Sequence, residues 1–248
     1  MTFKDHFSER SSIYAAFRPR YPRELFAFLA GLAPSRRTAW DCATGSGQAA
    51  LGLALEFDRV IATDASAAQL AEAAPHPRIE YRLAPAESSG LADASIDLVT
   101  VAQAAHWLDL TSFFAEARRA LVPGGVIALW CYVMCRIEPA IDAVVDAFYR
   151  ETVGPFWLPE RALVEDGYRS IEFPFEEIAA PDFAIEEELT LDRLAGYVRS
   201  WSATSRFTAE RGWDPVERLV EDLSPLWRDP DRLRMARWPL LIRVGRRT

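Results

Sequence analysis

Apolar residues recur along the first two-thirds of the chain in short dense runs, separated by amphipathic stretches of helical period. Alternation of this kind suits βα units closing a mostly parallel sheet, doubly wound, in the α/β class. The runs predict strands over 38–42, 59–63, 79–83, 95–101 and 126–132. Between them the pattern predicts helices over 47–57, 67–74 and 110–121. The run Ser95-Ile96-Asp97-Leu98-Val99-Thr100-Val101 is dense enough for a strand buried on both faces. Pro123-Gly124-Gly125 is expected to form the turn that ends the preceding helix.

Past Tyr132 the pattern loosens. Ile141, Val144, Val145 and Phe148 recur at helical spacing and predict an amphipathic helix over 137–151. Residues 154–181, rich in proline and aromatics, read as a packed excursion. A strand near 183–189, helices near 191–201 and 215–226, and a closing strand over 238–244 complete the reading. With no internal repeat and no Gly/Ser-rich linker, one domain is expected. Residues 1–136 would form its core, 137–233 a helical and irregular cap, and 234–248 the closing strand, antiparallel in a sheet of seven.

Half of the 248 residues are hydrophobic, so a core can form without disulfides or metal. The polar start has no signal-peptide character, and the apolar run 126–135 is about half of a membrane span. A cytoplasmic protein without a membrane partner is therefore expected. A net charge of −8 lacks the basic footprint of a nucleic-acid binder, so no nucleic-acid partner is expected. Lys4 is the only lysine, which leaves lysine chemistry to that residue or to none. Cys42, Cys131 and Cys135 lack a nearby histidine pattern for metal and read as small buried apolar groups.

The candidate chemistry begins in the turn after the first strand, Asp41-Cys42-Ala43-Thr44-Gly45-Ser46-Gly47-Gln48. Glycines there permit a sharp turn and close approach to the main chain, and the amides opening the next helix favour a negative group. Asp64, nineteen residues after Gly45, ends the second strand, where a carboxylate can accept ribose hydroxyls. Gly45-Ser46-Gly47-Gln48-Ala49-Ala50 also satisfies a dinucleotide fingerprint. On the loop alone, an adenosylmethionine site, a dinucleotide site and a plain glycine turn all stay open. Asp41 inside the strand and the lack of a tyrosine followed four residues later by lysine argue against the dinucleotide.

Asp41 to Gly47 resembles the DxGxGxG motif of class I S-adenosylmethionine-dependent methyltransferases, with Ala43 in place of the first glycine. Ala86-Glu87, the segment Ser95 to Val99, and Glu116-Ala117-Arg118-Arg119-Ala120-Leu121-Val122-Pro123-Gly124-Gly125 resemble that family's later motifs, in order. Tyr14 with Arg18-Pro19-Arg20-Tyr21-Pro22, the string Ala102-Gln103-Ala104-Ala105-His106-Trp107, and Trp201-Ser202-Ala203 resemble the type 11 subgroup that includes trans-aconitate methyltransferases. The resemblance implies a Rossmann-like sheet and S-adenosylmethionine as cofactor. It implies cofactor contacts from Asp41, Ala43, Thr44, Gly45, Ser46, Gly47, Gln48, Asp64, Ala65, Ala86, Glu87 and Gln103, with Arg18 pairing the methionine carboxylate. Two departures bear on this. Ala43 is expected at negative φ, and Pro85 replaces an acid, which leaves adenine to the Ala86 amide with Glu87 as helper.

Methyl transfer from a sulfonium is an in-line displacement that needs alignment and a dry cavity rather than a metal. A base is needed only where the acceptor still holds its proton. His106 is the candidate base; its plainer reading is a packing residue with a ring nitrogen on backbone. Tyr14 is the second catalytic candidate. The pocket for a small-molecule acceptor, a carboxylic acid among the acceptors allowed, is expected from Trp107, Trp130, Trp157, Trp201 and Arg206. An oxidoreductase using NAD(P) and a non-catalytic binder of S-adenosylmethionine are the alternatives.

Overall fold

The computed structural model describes residues 19–248, so the calls on Tyr14 and Arg18 lie outside the described residues. Helix α1 (Arg23–Leu32) leads into β1 (Thr38–Cys42), α2 (Gln48–Leu53), β2 (Arg59–Asp64), α3 (Ala67–Ala71), β3 (Ile79–Leu83) and β4 (Ile96–Ala102). A 3₁₀ turn (Ala105–Trp107), α4 (Leu110–Ala120) and β5 (Leu121–Cys131) finish the parallel half. Then come α5 (Pro139–Ala147), a π turn (Phe148–Thr152), α6 (Arg161–Glu165), β6 (Glu176–Ile178) and β7 (Phe183–Leu189). Helices α7 (Leu191–Arg199), α8 (Ser202–Arg211) and α9 (Val216–Trp227) precede β8 (Arg234–Arg246).

The strands run in the order β3-β2-β1-β4-β5-β8-β6, with β7 also paired to β8. Neighbours from β3 to β5 are parallel, whereas β8 is antiparallel to β5, β6 and β7. The described sheet thus has eight strands rather than the seven expected. The extra strand is β6, and it finds a partner because β8 is long: Arg234 to Leu240 pair with β7, Leu241 to Arg246 pair with β5, and Val244 to Arg246 pair also with β6. β7 is the strand read near 183–189, whereas β6 comes from the excursion read over 154–181, so part of that excursion is sheet.

β1 sits between β2 and β4, and the order reverses there, opening a crevice at the carboxyl ends of the strands. Residues fix this position by burial. All of β4 up to Val101 is buried, as is β1 from Ala39, and two hydrophobic clusters cover the two faces of the sheet. The Asp97 carboxylate accepts the amides of Arg37 (3.1 Å) and Thr38 (2.9 Å), which pins the start of β1 beside β4. Trp40 Nε1 donates to Thr63 Oγ1 at 2.8 Å and ties β1 to β2.

Three sequence expectations fail locally. Pro123-Gly124-Gly125 lies inside β5 rather than after a helix, which already ends at Ala120. Gly124 at φ 76° makes an irregularity there, and the pairing register with β4 shifts across it. The helix read over 67–74 ends at Ala71, and the one read over 47–57 runs from Gln48 to Leu53. Among the described residues, no helix is long and apolar enough to cross a membrane.

Candidate functional site

The turn after β1 is built from alternating left-handed residues: Ala43 (φ 54°), Gly45 (φ 58°) and Gly47 (φ 83°). The expected negative φ at Ala43 is therefore wrong. The left-handed step folds the loop back across the strand ends, where Thr44 donates its amide to Thr63 O (2.9 Å) and its hydroxyl to Asp41 (2.5 Å). An alanine in this region is strained by roughly 1–2 kcal/mol, against about 0.4–1 kcal/mol that glycine would lose through unfolded-chain entropy. Ala43→Gly is accordingly expected to raise stability in urea denaturation by up to about 1 kcal/mol. A loss of stability would mean that the packing of the Ala43 methyl outweighs its backbone strain.

Gly47 caps α2 at φ 83°, where a side chain is strained, and a Cβ there would lie 2.5 Å from Tyr81 Oη and displace that ring. Asp64 joins the loop to α3: one carboxylate oxygen accepts the Gly45 amide and the other the Ser66 amide, each at 2.8 Å. A carboxylate oxygen accepts more than one hydrogen bond, so ribose hydroxyls can share these atoms. Ala86 is buried just beyond β3, and the Glu87 carboxylate accepts the Asp109 amide at 3.1 Å. Ala65, Ser46 and Gln48 stand on the same rim, at the ends of β2 and the start of α2.

Asp41 is fully buried rather than presented to a ligand. Its oxygens accept the hydroxyls of Thr44 and, at 2.7 Å, of Thr100. Burial lifts its carboxyl from 3.8 to about 6, against the lowering by the two threonines. Because the native value exceeds the unfolded one, the folded chain binds the extra proton between those pH values. Stability from this group is full at acid pH and is lost as pH rises from about 4 through 6. Between pH 5 and pH 8 the parent should lose about 1 kcal/mol more stability than Asp41→Asn, measured by urea denaturation. Parallel losses would show that Asp41 is ionised throughout.

At the end of β4, Gln103 (φ 55°) clamps the next strand: its amide nitrogen donates to Tyr132 O at 3.0 Å, and its oxygen accepts Tyr132 N at 2.8 Å. The 3₁₀ turn that follows brings His106 to Tyr168, with Nδ1 and Oη 3.0 Å apart. The plainer expectation, a ring nitrogen on backbone, does not describe this contact. Tyr168 is fully buried, which pushes its hydroxyl well above its ordinary pKa.

A cavity lies over the ends of β4 and β5, lined by Gln103, His106, Trp107, Trp157, Arg161 and Trp201 among others. Trp157, Trp201 and Tyr149 form an aromatic cluster with ring centroids 5.0 to 5.9 Å apart. Two expected pocket residues are elsewhere. Trp130 is fully buried against Tyr21 and Phe26 (5.5 and 6.3 Å), on the sheet face that α1 covers. Arg206 lines a separate outer groove with Pro155, Phe156 and Glu210. Sequence reasoning missed Arg161, and it missed the contact of Tyr168 with His106. Both lie in the irregular stretch, and only the tertiary fold brings them to strand ends 28 and 62 residues away.

The methyltransferase domain family matches residues 40–129, from β1 to β5. A protein assigned as a methyltransferase in Dictyostelium discoideum is 34% identical over 233 residues, covering 92% of this chain and 89% of its own length. A solved structure assigned as a type II methyltransferase from Anaeromyxobacter dehalogenans is 47% identical, with a TM-score of 0.88 over 93% of this chain and 98% of that one. The malonyl-[acyl-carrier protein] O-methyltransferase of Dechloromonas aromatica is 37% identical over 116 residues, 46% of this chain and 43% of that protein.

Proposed function

This chain belongs to the S-adenosylmethionine-dependent methyltransferases of class I with a type 11 domain, and we propose that it methylates a small-molecule acceptor, a carboxylic acid, beneath the segment that follows β5. The observation that carries this reading is one of placement. The loop from Ala43 to Gly47 and the Asp64 carboxylate lie at the ends of β1 and β2, and the aromatic cavity opens over the ends of β4 and β5. The kinship to trans-aconitate methyltransferases suggested by the motifs points to the same acceptor class.

The described residues fit the cofactor. The Asp64 carboxylate holds the Gly45 and Ser66 amides, and each of its oxygens can accept a further bond from a ribose hydroxyl. Asp64 would hold the two hydroxyls, the loop with Gln48 and Gln103 the methionine end, and Ala65, Ala86 and Glu87 the adenosine end. When bound, S-adenosylmethionine supplies an electrophilic methyl; the acceptor's lone pair forms the new bond as the C–S pair returns to sulfur. The chain's own residues supply alignment and exclude water. Trp107, Trp157 and Trp201 wall the cavity, and alignment of this kind is worth roughly 7–11 kcal/mol of barrier. A carboxylate needs no base.

Labelled S-adenosylmethionine incubated with the protein and a metabolite extract tests the acceptor class. The label should appear in the filtrate of a membrane that retains macromolecules. Label retained on protein or nucleic acid, or none transferred, would overturn the reading.

A further inference from the structure

We infer that Arg161 is the docking residue for the acceptor's carboxylate; this rests on the methyltransferase reading above and assigns its acceptor site. Arg161 opens α6 and reaches the cavity, where its guanidinium is braced from behind. Its Nε donates to Tyr149 Oη at 2.8 Å, and Nη2 donates to the Val133 carbonyl at 3.1 Å. The Trp157 ring lies beneath it, 4.5 Å from ring centroid to guanidinium carbon. Glu165, four residues on in the same helix, spends an oxygen on the Tyr149 hydroxyl at 2.5 Å, and neither it nor the adjacent Glu160 makes an ion pair with Arg161.

Among the described residues no carboxylate pairs with this guanidinium, although thirteen ion pairs form elsewhere in them. An arginine fixed on two sides, stacked on an indole and half-buried without a counter-charge still has donors to spare, since the fork carries five. A planar fork of this kind matches a carboxylate through two parallel hydrogen bonds. The aromatic walls suit a flat acid, whose face can lie against Trp157 or Trp201. Arg206, in the outer groove, does not serve this role.

The test separates this assignment from the reading beneath it. A metabolite extract of the expressing cells is split on an anion exchanger, and each fraction is incubated with labelled S-adenosylmethionine. The expected acceptor is in the retained, anionic fraction. Arg161→Lys should raise KM for that fraction at least tenfold with kcat little changed, because charge stays but the fork is lost. Arg161→Gln should lose transfer at least tenfold more. In both variants the S-adenosylhomocysteine dissociation constant should stay within threefold of the parent, showing an intact fold and cofactor site. An acceptor in the unretained fraction, or Arg161→Gln with unchanged KM, would overturn the assignment and leave the methyltransferase reading standing. Cofactor binding without transfer from any fraction also counts against the assignment. Failure of the parent to bind S-adenosylhomocysteine would instead sink the reading itself.

Discussion

Asp64→Ala is expected to weaken S-adenosylhomocysteine binding by about ten- to a hundredfold, more than the loss of any other single acid. The contacts are charge-assisted and half-buried, worth roughly 1.5–3 kcal/mol. The structure adds a second cause. The same carboxylate holds the Gly45 and Ser66 amides, so its removal also frees the loop that would receive the cofactor. Asp64→Asn should be milder, since one amide oxygen can still accept. Calorimetry reads both variants; an unchanged dissociation constant for Asp64→Ala would remove Asp64 from the ribose site.

Trp201→Ala is expected to abolish most acceptor turnover while S-adenosylhomocysteine affinity stays within about threefold, or roughly 0.7 kcal/mol. Trp201 is only 3% exposed and packs on Phe148, Tyr149, Trp157 and Tyr197. Truncating such a ring costs roughly 3–5 kcal/mol of stability, a large share of the roughly 5–15 kcal/mol a domain has. The assay therefore belongs well below the melting point, with Trp201→Phe beside it to keep the wall partly filled. A variant that stays folded but loses cofactor binding would place Trp201 in the cofactor site. The division into an early cofactor half and a late acceptor half would then be wrong.

Much of the fold was legible because parallel strands buried on both faces leave dense apolar runs. β1 and β3 have the bounds the pattern predicts, 38–42 and 79–83. The glycine loop and Asp64 were legible because turn chemistry and strand ends are local. What escaped was set by tertiary contact. Nothing in an alanine announces a left-handed φ, so Ala43 was misread. Helix α8 hides because its buried positions mix Ala203, Thr204 and Phe207, without a continuous apolar stripe. β6 is three residues of Glu-Glu-Ile and pairs only because β8 runs past it. Trp130 carries no sequence mark of which sheet face it meets, and α1 covers that face. Arg161 gains its meaning only from Tyr149, Val133 and Trp157 around it.

The crystal structure of the protein with S-adenosylhomocysteine tests the central claim most directly. The ribose hydroxyls should lie about 2.7–3.2 Å from the Asp64 carboxylate, within ordinary hydrogen-bond reach. The sulfur should face the cavity of His106, Arg161 and Trp201. A ribose held by another acid, or a sulfur turned away from that cavity, would contradict it.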